Sequence, residues 1–546
     1  MSEYAVDIRD LRVTFATDGG DVRAVDGVSL QVAKGEILAI VGESGSGKTV
    51  TAKAMLGLLP STAVATGQLI VDGEDVIAAD RRRLREIRGQ KAAMVFQEPS
   101  TALNPVFTVG WQIMEGIRAH GRVSRKEARK RAIAMLEAVG IPDAANRIDY
   151  YPHQFSGGQK QRIVIAMALV LNPAVIIADE PTTALDVTVQ AEILDLLRRI
   201  RDEFGTAIVL ITHNMGVVAD LADRVAVMHY GKVVEAADVR SLFAAPKDDY
   251  TRTLLAAVPR VQLTEGEAVP ATAKPVVTAA RLVIEYPGRF RQPPFKAVDE
   301  VSFQIRQGEV LGLVGESGSG KTTIGRAIAR LTKATGGKLD VLGVDVVTAP
   351  ERAYQPLRRR IGFVFQDPAT SFNPLATIGK AIAEPIYVHG TAEERAGARR
   401  RVEDLLEAVR LPRSFADRFP HELSGGQRQR ASLARALILG PDLVIADEPT
   451  SALDVSVQAD VLELFKGLQE QFGFACLFIT HDLAVVDEVA DRVIVLHRGR
   501  LVEEGPSNVV LGSPREEYTR RLIDSLPVPD PVEQAARRAA RADAAV

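Results

Sequence analysis

A single cysteine, Cys476, is all the thiol that 546 residues contain. That scarcity excludes a disulfide framework, a four-cysteine zinc site and a protein-held iron–sulfur cluster, and it suits a reducing compartment. Net charge is also scarce. The 67 Lys and Arg against 70 Asp and Glu leave −3, which argues against a dedicated nucleic-acid binder and so predicts no nucleic-acid partner. Long apolar runs are missing as well. The most apolar stretch, residues 163–178, is broken by Asn172-Pro173 and falls short of the roughly 20 residues that span a bilayer, so it reads as buried helix, turn and strand. The opening Met1-Ser2-Glu3-Tyr4-Ala5-Val6-Asp7 has neither the basic nor the apolar region of a secretory signal. The expectation is a cytoplasmic chain that meets a membrane only through a partner. A hydrophobic content of 46% and a charged content of 25% are those of an ordinary globular protein long enough to bury more than one core.

What is present occurs twice. Gly42-Glu43-Ser44-Gly45-Ser46-Gly47-Lys48-Thr49 returns unchanged as Gly315-Glu316-Ser317-Gly318-Ser319-Gly320-Lys321-Thr322. Each copy follows an apolar run (37–41 and 310–314) and precedes helix-forming sequence, the context of a phosphate-binding Walker A loop. The glycines let backbone N–H groups curl around phosphates at a helix N-terminus. Lys48 and Lys321 are expected to reach the β and γ phosphates, and Thr49 and Thr322 to meet Mg2+. Gln97 and Gln366, Ser156 and Ser424, Asp179 and Asp447, and His213 and His481 repeat at a near-constant offset of about 270 residues, far beyond the roughly 20 to 50 residues of a solenoid repeat. The chain therefore reads as a duplicated domain: residues 1–259, a Pro-containing linker at 260–278, a second domain at 279–530 and a flexible tail at 531–546, either a frayed helix or disordered. At about 25 Å relaxed and about 60 Å stretched, the linker lets the halves meet face to face.

Within each half, short alternating strands (6–15 and 28–32; 282–286 and 301–305) predict an antiparallel sheet. Helical sequence follows at 111–139 and 378–409. Apolar strands at 175–178 and 208–211, and at 443–446 and 477–479, alternate with helices and predict an α/β core, a mainly parallel sheet covered on both faces. The arginine runs Arg81-Arg82-Arg83 and Arg358-Arg359-Arg360 read as solvated faces.

The chemistry sits at strand ends. Asp179-Glu180 and Asp447-Glu448 follow buried strands, so the aspartate can hold the Mg2+ shell and the glutamate can polarise a water. His213 and His481 end the next strands, where they can contact a γ-phosphate. The turns Ser156-Gly157-Gly158-Gln159 and Ser424-Gly425-Gly426-Gln427 open helices and form a second anion-binding N-terminus in each domain. One nucleotide does not need both. A head-to-tail pairing, in which the turn of one half closes over the nucleotide on the loop of the other, resolves the excess.

These motifs make the chain resemble a tandem ATPase subunit of an ATP-binding cassette (ABC) transporter over nearly all of residues 5–259 and 279–527. The resemblance implies P-loop NTPase folds, ATP as substrate with Mg2+, Gln97 and Gln366 as metal- and γ-phosphate-sensing residues, Glu180 and Glu448 as general bases, His213 and His481 as switch histidines, and Asp186 and Asp454 as D-loop residues. Phe15 and Tyr286 match the aromatic that stacks on adenine. The first signature has Phe155 where leucine is usual, an apolar exchange outside the Ser-Gly-Gly core, so both sites are expected to be competent. Gln97-Glu98-Pro99 to Leu103-Asn104-Pro105, Gln366-Asp367-Pro368 to Phe372-Asn373-Pro374, and closing segments with Tyr250-Thr251 and Tyr518-Thr519 are similar to the dipeptide, oligopeptide and nickel importers. This resemblance implies an intramolecular dimer at the cytoplasmic face of the membrane, with two permease subunits and an extracytoplasmic substrate-binding protein carrying a peptide. A nickel chelate or modified peptide is the alternative cargo. A ribosome-associated tandem ATPase is a more distant alternative, opposed by the short linker and by glutamine at Gln159 and Gln427.

Overall fold

The computed structural model describes residues 3–17, 19–183, 185–263, 270, 272–288, 293–451 and 453–544. Two compact units emerge, Met1–Val258 with Pro527–Val546, and Pro259–Leu526.

In the first unit a six-stranded sheet runs in the order Lys232–Asp238, Arg224–His229, Ile37–Val41, Ala207–Ile211, Val175–Asp179, Ala92–Val95. All neighbours are parallel except the antiparallel edge pair at Lys232–Asp238. Successive residues of one strand enter different cores. Ile176 and Ala178 join the cluster under the helical region, while Val175 and Ile177 join the cluster that includes Val6, Leu11 and Met55. Burial of both faces explains why these strands are continuous apolar runs rather than alternating ones. The second cluster is shared with a four-stranded antiparallel sheet, ordered Gly20–Ala33, Tyr4–Thr17, Ala63–Val71, Glu74–Asp75. The second unit repeats both sheets, with Val310–Val314 as its phosphate-loop strand.

Helices Val109–His120 and Arg125–Ala138, and in the second unit Ile378–His389 and Ala398–Ala408, occupy the expected helical regions. The arginine runs are solvated and paired: Arg83 bonds Glu74 and Glu86, and Arg358, Arg359 and Arg360 meet Glu351, Glu394 and Asp442. Among the described residues no helix is long and apolar enough to cross a membrane.

The segment boundaries differ from the sequence reading. A strand already starts at Pro275, inside the expected linker, and residues 264–269 and 271 of that linker lie outside the described residues. Residues 531–544, expected to be a frayed helix or a flexible tail, form the helix Pro531–Ala544 and belong to the first unit. Pro531 is the helix's first residue, and the Asp530 carboxylate accepts from the amides of Val532 and Glu533 at 2.8 and 3.1 Å. This N-terminal cap, the alanine-rich sequence and a buried Gln534 supply the order that composition alone underestimates.

Candidate functional site

The phosphate loop owes its shape to positions where a side chain cannot fit. Gly42 has φ +141°, and a Cβ there would lie 2.1 Å from the carbonyl oxygen of Met228; Gly315 repeats this against Leu496. Gly45 and Gly318 also need positive φ, yet nothing lies within 4 Å of their Cβ positions. The first pair seats the loop on its neighbouring strand, and the second leaves an open face above it. The buried Lys48 ammonium donates to the carbonyls of Gly42 and Glu43 at 2.6 and 2.8 Å, and Lys321 does the same to Gly315 and Glu316 at 2.7 and 2.9 Å. Phosphate oxygens would compete for these donors with charge in their favour.

Beside the loop, the Thr49 hydroxyl donates to Asp179 at 3.4 Å, and Thr322 to Asp447 at 2.9 Å. Burial, reinforced by the neighbouring Glu180 charge, pushes Asp179 up to about 6, and burial likewise raises Asp447. A buried carboxylate short of positive charge, next to a hydroxyl oxygen, fits a hard divalent cation such as Mg2+. When bound, that cation would supply charge neutralisation at the phosphates, with Thr49 and Asp179, or Thr322 and Asp447, holding it.

The glutamate is held more firmly. Gln97 donates to Glu180 at 2.7 Å, the Thr183 hydroxyl at 2.9 Å, and the His213 Nδ1 lies 3.0 Å from the other oxygen. In the second unit Gln366 donates to Glu448 at 3.0 Å, and His481 Nδ1 lies 3.3 Å away. Burial raises both glutamates, but the histidine hydrogen bond and charge outweigh it and leave each below its ordinary range. His481 is correspondingly raised: burial lowers it, and the Glu448 carboxylate more than compensates. Both glutamates have left-handed backbones, with φ of 49° and 48°. Their amides donate at 2.8 Å to Ile211 and Ile479 of the adjacent strands, which pins this costly conformation. Each unit thus gathers loop lysine, loop threonine, aspartate, glutamate, glutamine and histidine around one point.

Other predicted residues lie elsewhere in their units. Ser156 and Ser424 cap the helices Gly157–Leu169 and Gly425–Leu437, and Gln159 and Gln427 turn back to accept from the serine amides at 3.2 and 3.0 Å. These glutamine side chains are committed to a capping box, a role the sequence reading missed. A Cβ at Gly158 would lie 2.3 Å from Val189, and at Gly426 2.4 Å from Val457, so these glycines serve close helix packing; Gly157 and Gly425 have ordinary room. Asp186 and Asp454 stand at the N-caps of Val187–Phe204 and Val455–Phe472. Phe15 is half-buried at the end of its strand, while Tyr286 is exposed. Thr183 was not anticipated, although a hydroxyl three residues beyond Glu180 was its available signal.

Two phosphate loops, each with its acidic strand end, glutamine, histidine and helix-opening glycine turn, define a tandem nucleotide-hydrolysing protein of the ABC class. The family description "ABC transporter" matches residues 25–183 and 298–451, and "Oligopeptide/dipeptide transporter, C-terminal region" matches 234–280 and 502–545. The chain belongs to the ABC transporter ATP-binding family, whose members hydrolyse ATP. It is 46% identical to the glutathione import ATP-binding protein GsiA of Pectobacterium atrosepticum, with 96% of this chain and 90% of the relative covered. It is 45% identical to that of Escherichia coli, with 98% and 92% covered. A solved complex of archaeal ribosomal stalk protein aP1 with ribosome recycling factor aABCE1 shares the fold at TM-score 0.58 and 21% identity, covering 88% of each chain.

Proposed function

We propose that this chain energises import of short peptides across the cytoplasmic membrane, working at its inner face with two permease subunits and an extracytoplasmic binding protein. The carrying observation is the pair of equivalent glutamate-centred sites in a chain whose closing segments match the oligopeptide/dipeptide transporter region. The relatives named for glutathione import make that tripeptide the first cargo to test. In this reading the halves form an intramolecular dimer enclosing two ATP, one between Lys48 and Ser424 and the other between Lys321 and Ser156.

Glu180 and Glu448, kept ionised by their histidines, take the proton of the attacking water. Gln97 and Gln366 orient that carboxylate and sense the γ-phosphate, and His213 and His481 fix its other oxygen. Large apolar side chains stand exposed on the segments that carry the glutamines and just beyond them, among them Phe96, Val106 and Trp111, and Phe365, Leu375 and Tyr387. Such patches suit permease contacts next to the residue that senses nucleotide. A nickel chelate stays the second cargo to assay.

The test has two arms. Glu180→Gln with Glu448→Gln is expected to keep ATP bound and to lower turnover at least about 100-fold, as loss of a general base does. Undiminished turnover would refute the assigned role. In cells, deletion of the gene is expected to abolish uptake of labelled glutathione, and the double variant not to restore it; uptake that survives deletion sinks the cargo.

A further inference from the structure

The closing segment of each unit touches its phosphate loop. The Glu43 amide, immediately after Gly42, donates to the Tyr250 hydroxyl at 2.9 Å, and the Glu316 amide donates to Tyr518 at 3.3 Å. Both rings lie flat on a histidine at the end of the strand beside the loop: His229 on Tyr250 at 3.8 Å between centroids and His497 on Tyr518 at 4.0 Å. The short helices carrying these tyrosines, Asp249–Ala256 and Glu517–Asp524, are themselves anchored. Glu235 accepts from the amides of Lys247 and Asp248 at 2.9 and 3.0 Å, and Glu503 from those of Arg515 and Glu516 at 2.8 and 3.3 Å. Two copies with the same bonds indicate a built contact.

A few residues further on, each segment crosses to the other unit. Beyond Val258 the amides of Gln262 and Leu263 donate to Asp487 at 2.6 and 2.9 Å. Asp487 lies on the helix Leu483–Val489, which begins two residues after His481. Beyond Leu526, Pro527 lies so close to Gly216 that a Cβ there would be 2.4 Å from the proline carbonyl oxygen. Arg538 then donates to the Asp220 carbonyl and carboxylate at 2.9 and 3.0 Å. Gly216 and Asp220 lie on Met215–Leu221, the helix that begins two residues after His213.

We propose that the closing segments are crossed couplers: Tyr250 and Tyr518 are positioning residues that hold the phosphate loop of their own unit, and the chain just beyond each grips the helix behind the histidine of the other unit. Phosphates draw the loop amides inward. The tyrosine follows through its hydroxyl, and the short anchored segment carries the displacement to the opposite histidine helix. The two ATP sites are thereby made interdependent through the chain itself. This rests on reading the loops as ATP sites, and it requires nothing of the permeases or the cargo.

The full-length chain with Tyr250→Phe and Tyr518→Phe keeps both ring stacks and loses both hydroxyls. Its KM for ATP is expected to rise about three- to tenfold, one hydrogen bond's worth, with kcat within about twofold and an unchanged melting temperature. A parental KM would overturn the positioning role. Crossing is read by hydrogen–deuterium exchange in a Lys48→Ala chain, where Mg-ATP is held only at the Lys321 loop. Mg-ATP is expected to slow exchange at 214–223 in the other unit, and the response to vanish when Tyr518→Phe is added, while 315–322 stay protected at saturating ATP. A response at 214–223 that survives Tyr518→Phe overturns the coupler. No protection at 315–322 in the parent chain would defeat the nucleotide-site reading, and this inference with it.

Discussion

Gly157 and Gly158 are neighbours in one turn with unlike reasons to be glycine. The second cannot take a methyl group because Val189 stands 2.3 Å from its Cβ position, whereas the nearest atom to the first, in Leu185, is 3.9 Å away. Gly158→Ala is expected to destabilise the first unit by about 1–3 kcal/mol through overpacking. Gly157→Ala should leave the urea midpoint unchanged and, on the pairing of the halves proposed above, lower ATPase turnover. Equal midpoints for the two variants would show that the turn relaxes freely. Motif spacing had treated the two glycines alike. It had equally counted Gln159 and Gln427 among nucleotide contacts, since a pattern reports which residue recurs and not which way its amide turns. The positions of the Asp–Glu pairs and the histidines were legible, because each stands at the end of a strand whose apolar run fixes where it must emerge; the glutamines were marked only by their repetition and by the family resemblance.

At the scale of elements, the buried strand Val175–Asp179 aims the aspartate and glutamate, and its support comes from both faces. Ile177 is fully buried in the cluster shared with the antiparallel sheet. Ile177→Ala is expected to cost about 2–5 kcal/mol, measured by urea unfolding; a cost below about 1 kcal/mol would mean that the sheet is not the rigid base of the site. The capping box at Ser156 makes a smaller contribution. Ser156→Ala should cost about 1 kcal/mol beyond any effect on turnover. Strands and helices of this kind were readable from periodicity. The boundary elements were less so: for Pro531–Ala544 the sequence left a frayed helix and disorder both open, and what orders it includes a cap and contacts with residues remote in sequence, such as Asp220. Composition carries no trace of such contacts.

For the whole molecule, the salient fact is that the first unit is built from two stretches of chain with the second unit between them. A chain ending at Leu526 would bare Gly216 and Asp220, and calorimetry should then show a lowered transition for the first unit beside an unchanged one for the second. Two unchanged transitions would mean that Pro527 onward adds no stability.

This order also sets a clock during synthesis. The stretch beginning at Pro527 leaves the ribosome only after all of Pro259–Leu526 has been made, a delay on the order of tens of seconds at about 5 to 20 residues per second. Through that interval the helix Met215–Leu221 has to wait without the contacts that Pro527 and Arg538 bring to it.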